Sequence, residues 1–284
     1  MEPSEVQRAV EAARLTACAL GLQADTGIVV QNANRVAVRL APCDVLARVA
    51  PLAHQVGAAF EVAVGRQLAQ AGCPVEQPEP RVEPIVYVRD GFAITFWTYY
   101  ESVPSQDITP AAYAQALAQY HRCTRHLTLA VPHFTDRIAE AQRLVDDRVQ
   151  TPELDDAGRT LLGNTLRAMR RAITDRKAPE QLLHGEPHPG NLLNTQQGLL
   201  LIDLETSCRG PVEFDIAHAP EAVGEHYPAI HHGLLRECEI LTLAMVTCWR
   251  WDRNDQFPNG RYWGVEGIKW IGTLLDRYGI DVAG

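Results

Sequence analysis

The stretch that decides the fold is LLHGEPHPGNLLNTQQGLLLIDLETSCRGPVEFDIAH, residues 182–218. It reads as strand, loop, strand, loop, with two short apolar runs, LLN and LLLI, separated by a polar TQQG that suits a hairpin turn. Polar groups gather at the ends of these runs. Glu186 is followed by Asn191, and the second run ends in Asp203 with Glu205 just beyond. A hairpin would bring Asn191 and Asp203 near one point. Moving a phosphoryl group from a nucleotide needs such a set: two or three oxygen ligands for magnesium, a base beside the acceptor hydroxyl, and a cation on the donor phosphates. His184 and His188 would mimic a zinc pair if they lay on a helix, but Pro187 and Pro189 exclude that helix.

Upstream, Ser4 and Gln7 form a capping-box pattern, and Val6, Val10, Ala13, Ala17 and Leu20 keep helical spacing up to Gly21. The pattern then changes to period two. IVVQNA, RVAVRLA and DVLARVA predict three antiparallel strands over 28–50, with QNANR and APCD as turns. A helix follows over 54–72, carrying Phe60, Val64 and Leu68 on one face and Glu61 beside them. After the Pro-rich link PVEQPEP, the runs IVYVRD and FAITFWTYY predict a hairpin across Asp90 and Gly91. Beyond SVPSQDITP the spacing is mainly helical, over 111–124, 135–149, 155–175, 213–226, 229–251 and 263–278. The fold class is therefore α+β, with a small N-terminal sheet lobe over 1–102 and a larger, mainly helical lobe over 103–284.

Composition narrows the function classes. The chain is 46% hydrophobic and 21% charged with a net charge of -9, which argues against a nucleic-acid footprint. No apolar run is long enough for a membrane span, and the charged N-terminus lacks the basic start of a signal peptide. Seven cysteines with no CxxC pattern predict reduced thiols, no disulfide framework and a cytoplasmic protein. The oligomeric state is not legible.

The run HGEPHPGN followed by LLLIDLE and EFDIA resembles the signature of the aminoglycoside phosphotransferase and choline kinase family, small-molecule kinases with the protein-kinase-like fold. NANRVAVRL, VLARV, FEVAVGRQLAQAGCPV and ALAQYHR extend the resemblance over most of the chain. It implies a bilobal protein-kinase-like fold, a nucleotide donor (ATP or GTP), Mg2+ and an acceptor hydroxyl on a small molecule. Under it, Glu186 stands at the catalytic carboxylate, and Asn191 and Asp203 at the metal ligands, with Glu205 beside them. His184, His188 and Asp215 would support the loop. Arg48 takes the place of the strand-three lysine and Glu61 that of its helix partner. The turn at Asn34 would approach the phosphates, and residues from Thr98 to Tyr100 would hold the base.

Two departures bear on activity. Glu replaces the family's Asp at 186, which lengthens the side chain by one methylene, and Arg replaces Lys at 48, where a planar fork is not equivalent to an ammonium. The chain's only lysines are Lys177 and Lys269. Three classes follow. The first is an ATP- and Mg-dependent O-phosphotransferase acting on an aminoglycoside or other antibiotic, an amino alcohol or a sugar-like metabolite. The second is a kinase-shaped ligand-binding module without catalysis. Protein kinase activity, the third, is disfavoured by the lack of HRD and DFG. Trp249, Trp251, Tyr262, Trp263 and Trp270 crowd the C-terminal third, as core anchors or as an aromatic wall for an amine-bearing acceptor, which Asp252 and Asp255 would assist.

Overall fold

The computed structural model describes residues 1–104 and 108–282, so that part of the expected inter-lobe link, residues 105–107, lies outside the described residues. The chain is a mixed α+β protein and divides into two compact units, Met1–Arg125 with Gly190–Ser207 and His126–Pro189 with Cys208–Gly284. This division differs from a single cut after residue 102. The hairpin after Gly190 falls in the first unit, where isolated bridges pair its Leu201 with Val75 and its Thr195 with Ser102.

In the first unit, α1 (Pro3–Ala19) precedes β1 (Ala24–Asn32), β2 (Val36–Pro42) and β3 (Val45–Pro51); α2 (Gln55–Gln70) follows, then β4 (Tyr87–Arg89) and β5 (Phe92–Thr98). The sheet order is β1-β2-β3-β5-β4, antiparallel throughout. Period-two patterning gives it two unlike faces. Val36, Val38, Val45, Ala47, Val49, Ile94 and Phe96 point into one core. The alternate residues Ala37, Arg48 and Thr95 are paired across the strands and line a cavity on the other face. Small residues Ala9, Ala12, Ala13 and Ala17 form the buried side of α1 and let it lie close to the sheet. At Gly27 an added Cβ would stand 2.7 Å from Val10 Cγ1. The β4–β5 turn uses Asp90 and Gly91, both left-handed at φ 51° and 83°, as a two-residue hairpin of this hand requires.

α3 (Pro110–Thr124) and the hairpin of β7 (Leu192–Thr195) and β8 (Gly198–Leu201) complete this unit, with Leu192 opposite Leu201. One expectation is corrected here. Cys73 and Cys123 form a disulfide with Cα atoms 5.5 Å apart. They are 50 residues apart in sequence, and only the packing of α3 near the end of α2 brings them together.

The second unit holds α4 (Phe134–Asp146), α5 (Asp156–Asp175), β6 (Gln181–Leu183), β9 (Cys208–Gly210), α6 (Val212–Ile216), α7 (Glu221–Gly224), α8 (His232–Trp249) and α9 (Gly260–Tyr278). Its core joins Phe134, Ile138, Leu162, Leu166, Phe214, Leu241 and Met245. The helix expected over 213–226 is instead two short ones, because Pro220 caps the second with extended backbone at ψ 142°. The β6–β9 pair, three residues a strand, carries too short a period for the sequence to announce. Among the described residues no helix is long and apolar enough to cross a membrane.

Candidate active site

In the first unit the cavity on the polar face of the sheet has a volume of about 560 Å³. Its lining brings together eight residues singled out from the sequence: Asn34, Arg48, Glu61, Thr98, Tyr100, Asn191, Asp203 and Glu205. β3 delivers Arg48, which is 7% exposed. Its guanidinium donates to Glu61 Oε1 at 2.7 Å and to Glu76 Oε2 at 2.6 Å and stacks over Trp97, 4.9 Å from the ring centroid. Both acids are buried. Burial works to raise the Glu61 carboxyl, but Arg48 and Arg35 prevail and hold it below the ordinary carboxylate range. Burial wins at Glu76, whose carboxyl is pushed up despite Arg48.

Arg48 is thus fully engaged, and the cation that faces the acidic end of the cavity is Arg35. Its Nη1 donates to Glu61 Oε2 at 2.6 Å, while Nη2 stands 2.9 Å from Asp203 Oδ1 and Nη1 3.5 Å from Glu205 Oε2. Burial would weaken this charge, but the three carboxylates more than offset it and raise the Arg35 pKa. Two residues here escaped the sequence reading. Arg35 closes the QNANR turn, where a basic residue gave a signal that could have been weighed. Glu76 sits in the Pro-rich link and gave none.

Asp203 has left-handed backbone, φ 66° and ψ 65°, uncommon for a residue with a side chain and a marker of functional strain. Its N–H donates to Glu76 Oε1 at 2.8 Å, and the preceding Ile202 N–H donates to the Asn191 carbonyl at 3.0 Å. The acid is therefore held at the end of β8 by the same carboxylate that anchors Arg48. Among the described residues no group of three His, Cys, Asp or Glu is gathered as a metal cage. The set Asn191, Asp203 and Glu205 still offers only oxygen donors, which suits a hard cation that keeps several waters. The buried Asp203 Oδ1 makes no hydrogen bond beyond its ion pair with Arg35, so the residues present fit such an ion.

The loop after β6 lies in the second unit up to Pro189. Asp215, from α6, accepts the His184 N–H at 2.9 Å and the Gly185 N–H at 2.8 Å, and the Glu186 N–H reaches His184 Nδ1 at 3.4 Å. Glu186 and His188 line a second cavity of about 620 Å³. Arg137 Nη2, on α4, donates to Glu186 Oε2 at 3.1 Å. Burial opposes ionisation of Glu186, but Arg137 and the neighbouring His218 bring its pKa below the usual value. His218, unassigned from the sequence although it closes the opening stretch, lines the same cavity. Its Nε2 is buried without a hydrogen-bond partner, and burial pulls its pKa down to about 4.

The expected acceptor residues separate. Trp249 lines the second cavity, whereas Trp251 is 7% exposed and packs in the core of this unit. Asp255 pairs with Arg250 at 3.2 Å, and Asp252 accepts the Asn254 N–H at 2.8 Å to close a turn. Neither acid lines the cavity.

A family model described as the phosphotransferase enzyme family (APH) matches residues 26–234. Among solved structures, an amicoumacin kinase in complex with AMP-PNP, Ca2+ and amicoumacin superposes with a TM-score of 0.71 at 12% identity, over 96% of each chain. A choline/ethanolamine kinase family protein from Mesorhizobium loti gives 0.67 at 15% identity over 99% of this chain and 97% of its own. A choline kinase from Streptococcus pneumoniae gives 0.67 at 16% identity over 93% and 98%. At such identities the likeness shows a shared fold. No curated protein matches the sequence.

Proposed function

The chain belongs to the phosphotransferase enzyme family, and on that premise we propose that it transfers the γ-phosphoryl group of ATP or GTP to a hydroxyl of a small molecule. The observation that carries this reading is Asp203: an acid in left-handed backbone, locked by Glu76, in one cavity with Asn191, Glu205 and the Glu61–Arg48 pair. The nucleotide is assigned to the first cavity, where Thr98 and Tyr100 would receive the base. AMP-PNP and Ca2+ in the similar amicoumacin kinase support a nucleotide and a divalent ion there. Magnesium on Asn191, Asp203 and Glu205 would neutralise donor phosphate charge.

The acceptor alcohol is assigned to the second cavity beside Glu186. Its oxygen forms a bond to the γ-phosphorus as the bond to the β,γ-bridging oxygen breaks. The nucleoside diphosphate leaves with that electron pair, and the hydroxyl proton passes to Glu186. Arg137 keeps Glu186 ionised, so it accepts the hydroxyl's hydrogen bond and orients it through a loose transition state, and takes the proton only as the new P–O bond completes. Arg48, occupied by Glu61 and Glu76, organises the carboxylates, and Arg35, now paired with Asp203 and Glu205, would turn to the donor phosphates once magnesium took those carboxylates.

A second reading, a nucleotide-binding module without turnover, is favoured by Arg35 itself, since its guanidinium already satisfies Asp203 and Glu205. Calorimetry of ATP with and without magnesium, on wild type and Asp203→Asn, followed by ADP release with an acceptor panel, tests both. Binding that needs metal and Asp203, with acceptor-dependent turnover, is the expected result. Turnover undiminished in Asp203→Asn overturns the metal assignment, and binding without turnover on any acceptor moves the conclusion to the module.

A further inference from the structure

The second cavity has an unusual wall for an aminoglycoside, one of the acceptors the sequence left open. On α8, Leu243, Val246 and Trp249 recur at helical spacing on one face, and α9 adds Trp263 and Trp270, seven residues apart. Phe257, in the link between these helices, also lines the cavity, with the Arg250 guanidinium 4.3 Å from its ring centroid. Trp263 and Trp270 stand 6.0 Å apart between ring centroids with a 45° tilt and remain 40% and 46% exposed, as does Phe257 at 53%. Large aromatics held in solvent around a cavity, rather than scattered singly, mark a surface kept apolar for a ligand. The helices can approach closely there because position 267 is Gly: a Cβ would stand 2.2 Å from Thr247 Oγ1.

Two charges of the lining are paired. Arg137 holds Glu186 at 3.1 Å, and Arg250 is held by Asp255 at 3.2 Å. Glu239 is the one lining carboxylate that forms no ion pair among the described residues, and burial and Glu221 raise its pKa. A polyamine sugar would bring several ammonium groups to a wall that offers at most one carboxylate, and each unpaired ammonium would lose hydration without replacement. Nε and Nη1 of Arg250 make no hydrogen bond, and the uncharged polar group left over is His218 Nε2, buried and unpartnered. Either tautomer offers a hydroxyl a hydrogen bond, as a lone pair receiving its O–H or as an N–H donating to its oxygen.

From this wall and this residual polar group we infer that the acceptor is an alcohol with a large apolar or aromatic body, carrying at most one positive charge, whose body stacks on Trp263, Trp270 and Trp249 and whose hydroxyl meets His218 Nε2 beside Glu186. The volume of about 620 Å³ is that of a drug-sized ligand site. The identity of this ligand as a phosphoryl acceptor rests on the function proposed above; its chemical class rests on the wall alone.

The test uses 2-naphthaleneethanol as the aromatic probe and kanamycin as the polycationic one, each titrated calorimetrically into the full chain without nucleotide, then assayed for ADP release with Mg-ATP. The aromatic probe should bind the tighter of the two. Trp270→Ala and Trp263→Ala, both at exposed positions and so compatible with folding, should each weaken it by about tenfold. His218→Asn should weaken 2-naphthaleneethanol while leaving 2-ethylnaphthalene, which lacks the hydroxyl, unchanged. Tighter binding of kanamycin, or aromatic binding indifferent to both tryptophan variants, overturns the inference. If the aromatic probe binds as described but no ADP appears with any alcohol, the phosphotransfer reading fails and the ligand class stands. If kanamycin alone drives ADP release, the ligand class fails and phosphotransfer stands.

Discussion

Replacing Arg48 by Met removes the cation shared by two buried carboxylates while keeping a flexible apolar stem against Trp97. Glu61 retains Arg35, bound through Nη1 at 2.6 Å. Among the described residues Glu76 keeps the N–H of Asp203, at 2.8 Å. Deleting one partner of a buried pair costs about 3–5 kcal/mol, because the other charge stays buried without its counterion. Burial already raises the Glu76 carboxyl, so it can take a proton, and the loss should fall near the lower end of that range. With a urea dependence of about 2 kcal/mol per molar, a loss of about 3 kcal/mol moves the unfolding midpoint of this unit down by about 1.5 M. Hydrogen exchange of the β3 and β5 amides against urea reads the first unit alone. Adding Glu76→Gln to Arg48→Met should recover part of the loss, since a neutral amide needs no counterion. A single-variant midpoint within about 0.5 M of wild type would refute the account of Arg48 as the organising cation.

Three further outcomes follow from the same geometry. Arg35→Met should weaken ATP binding by about tenfold or more with a smaller stability loss than Arg48→Met, and calorimetry showing the reverse ranking would exchange the two roles. Glu186→Gln should lower kcat by about a hundredfold or more with little change in acceptor KM; equal kcat for both enzymes would remove Glu186 from the chemistry. Stability should fall with acidity: His218, at about 4 against an ordinary 6.5, is neutral in the fold, so the unfolded chain takes the proton first. Its contribution is complete above pH 6.5 and is lost as pH falls towards 4. Glu186, Arg137, Asp215 and His188 set its field, and Glu186 adds its own loss lower in the carboxylate range. The thermal midpoint of His218→Gln should be flatter over that window, and parallel curves would contradict the burial of a neutral ring.

The sequence by itself determined the elements and the order of the polar groups along them. Periods of two and 3.6 are local properties, so the three strands read over 28–50, the hairpin at Asp90–Gly91 and the place of Asp203 at the end of an apolar strand were legible from neighbours alone. So was the grouping of Arg48, Glu61, Asn191 and Asp203, because a known motif carries it. Tertiary structure decided which charges are free. Nothing local says that Glu76, from a Pro-rich link, meets Arg48, or that Arg35 spans Glu61 and Asp203. The Cys73–Cys123 bond depends on two helix ends meeting, and the lining of the second cavity takes Trp263 and Trp270 while leaving Trp251, Asp252 and Asp255 to the core, a turn and an ion pair. Backbone conformation is set by residues a few positions apart, whereas the partner of a buried charge is whichever group the packed fold brings within about 3 Å, and that is a property of the whole chain.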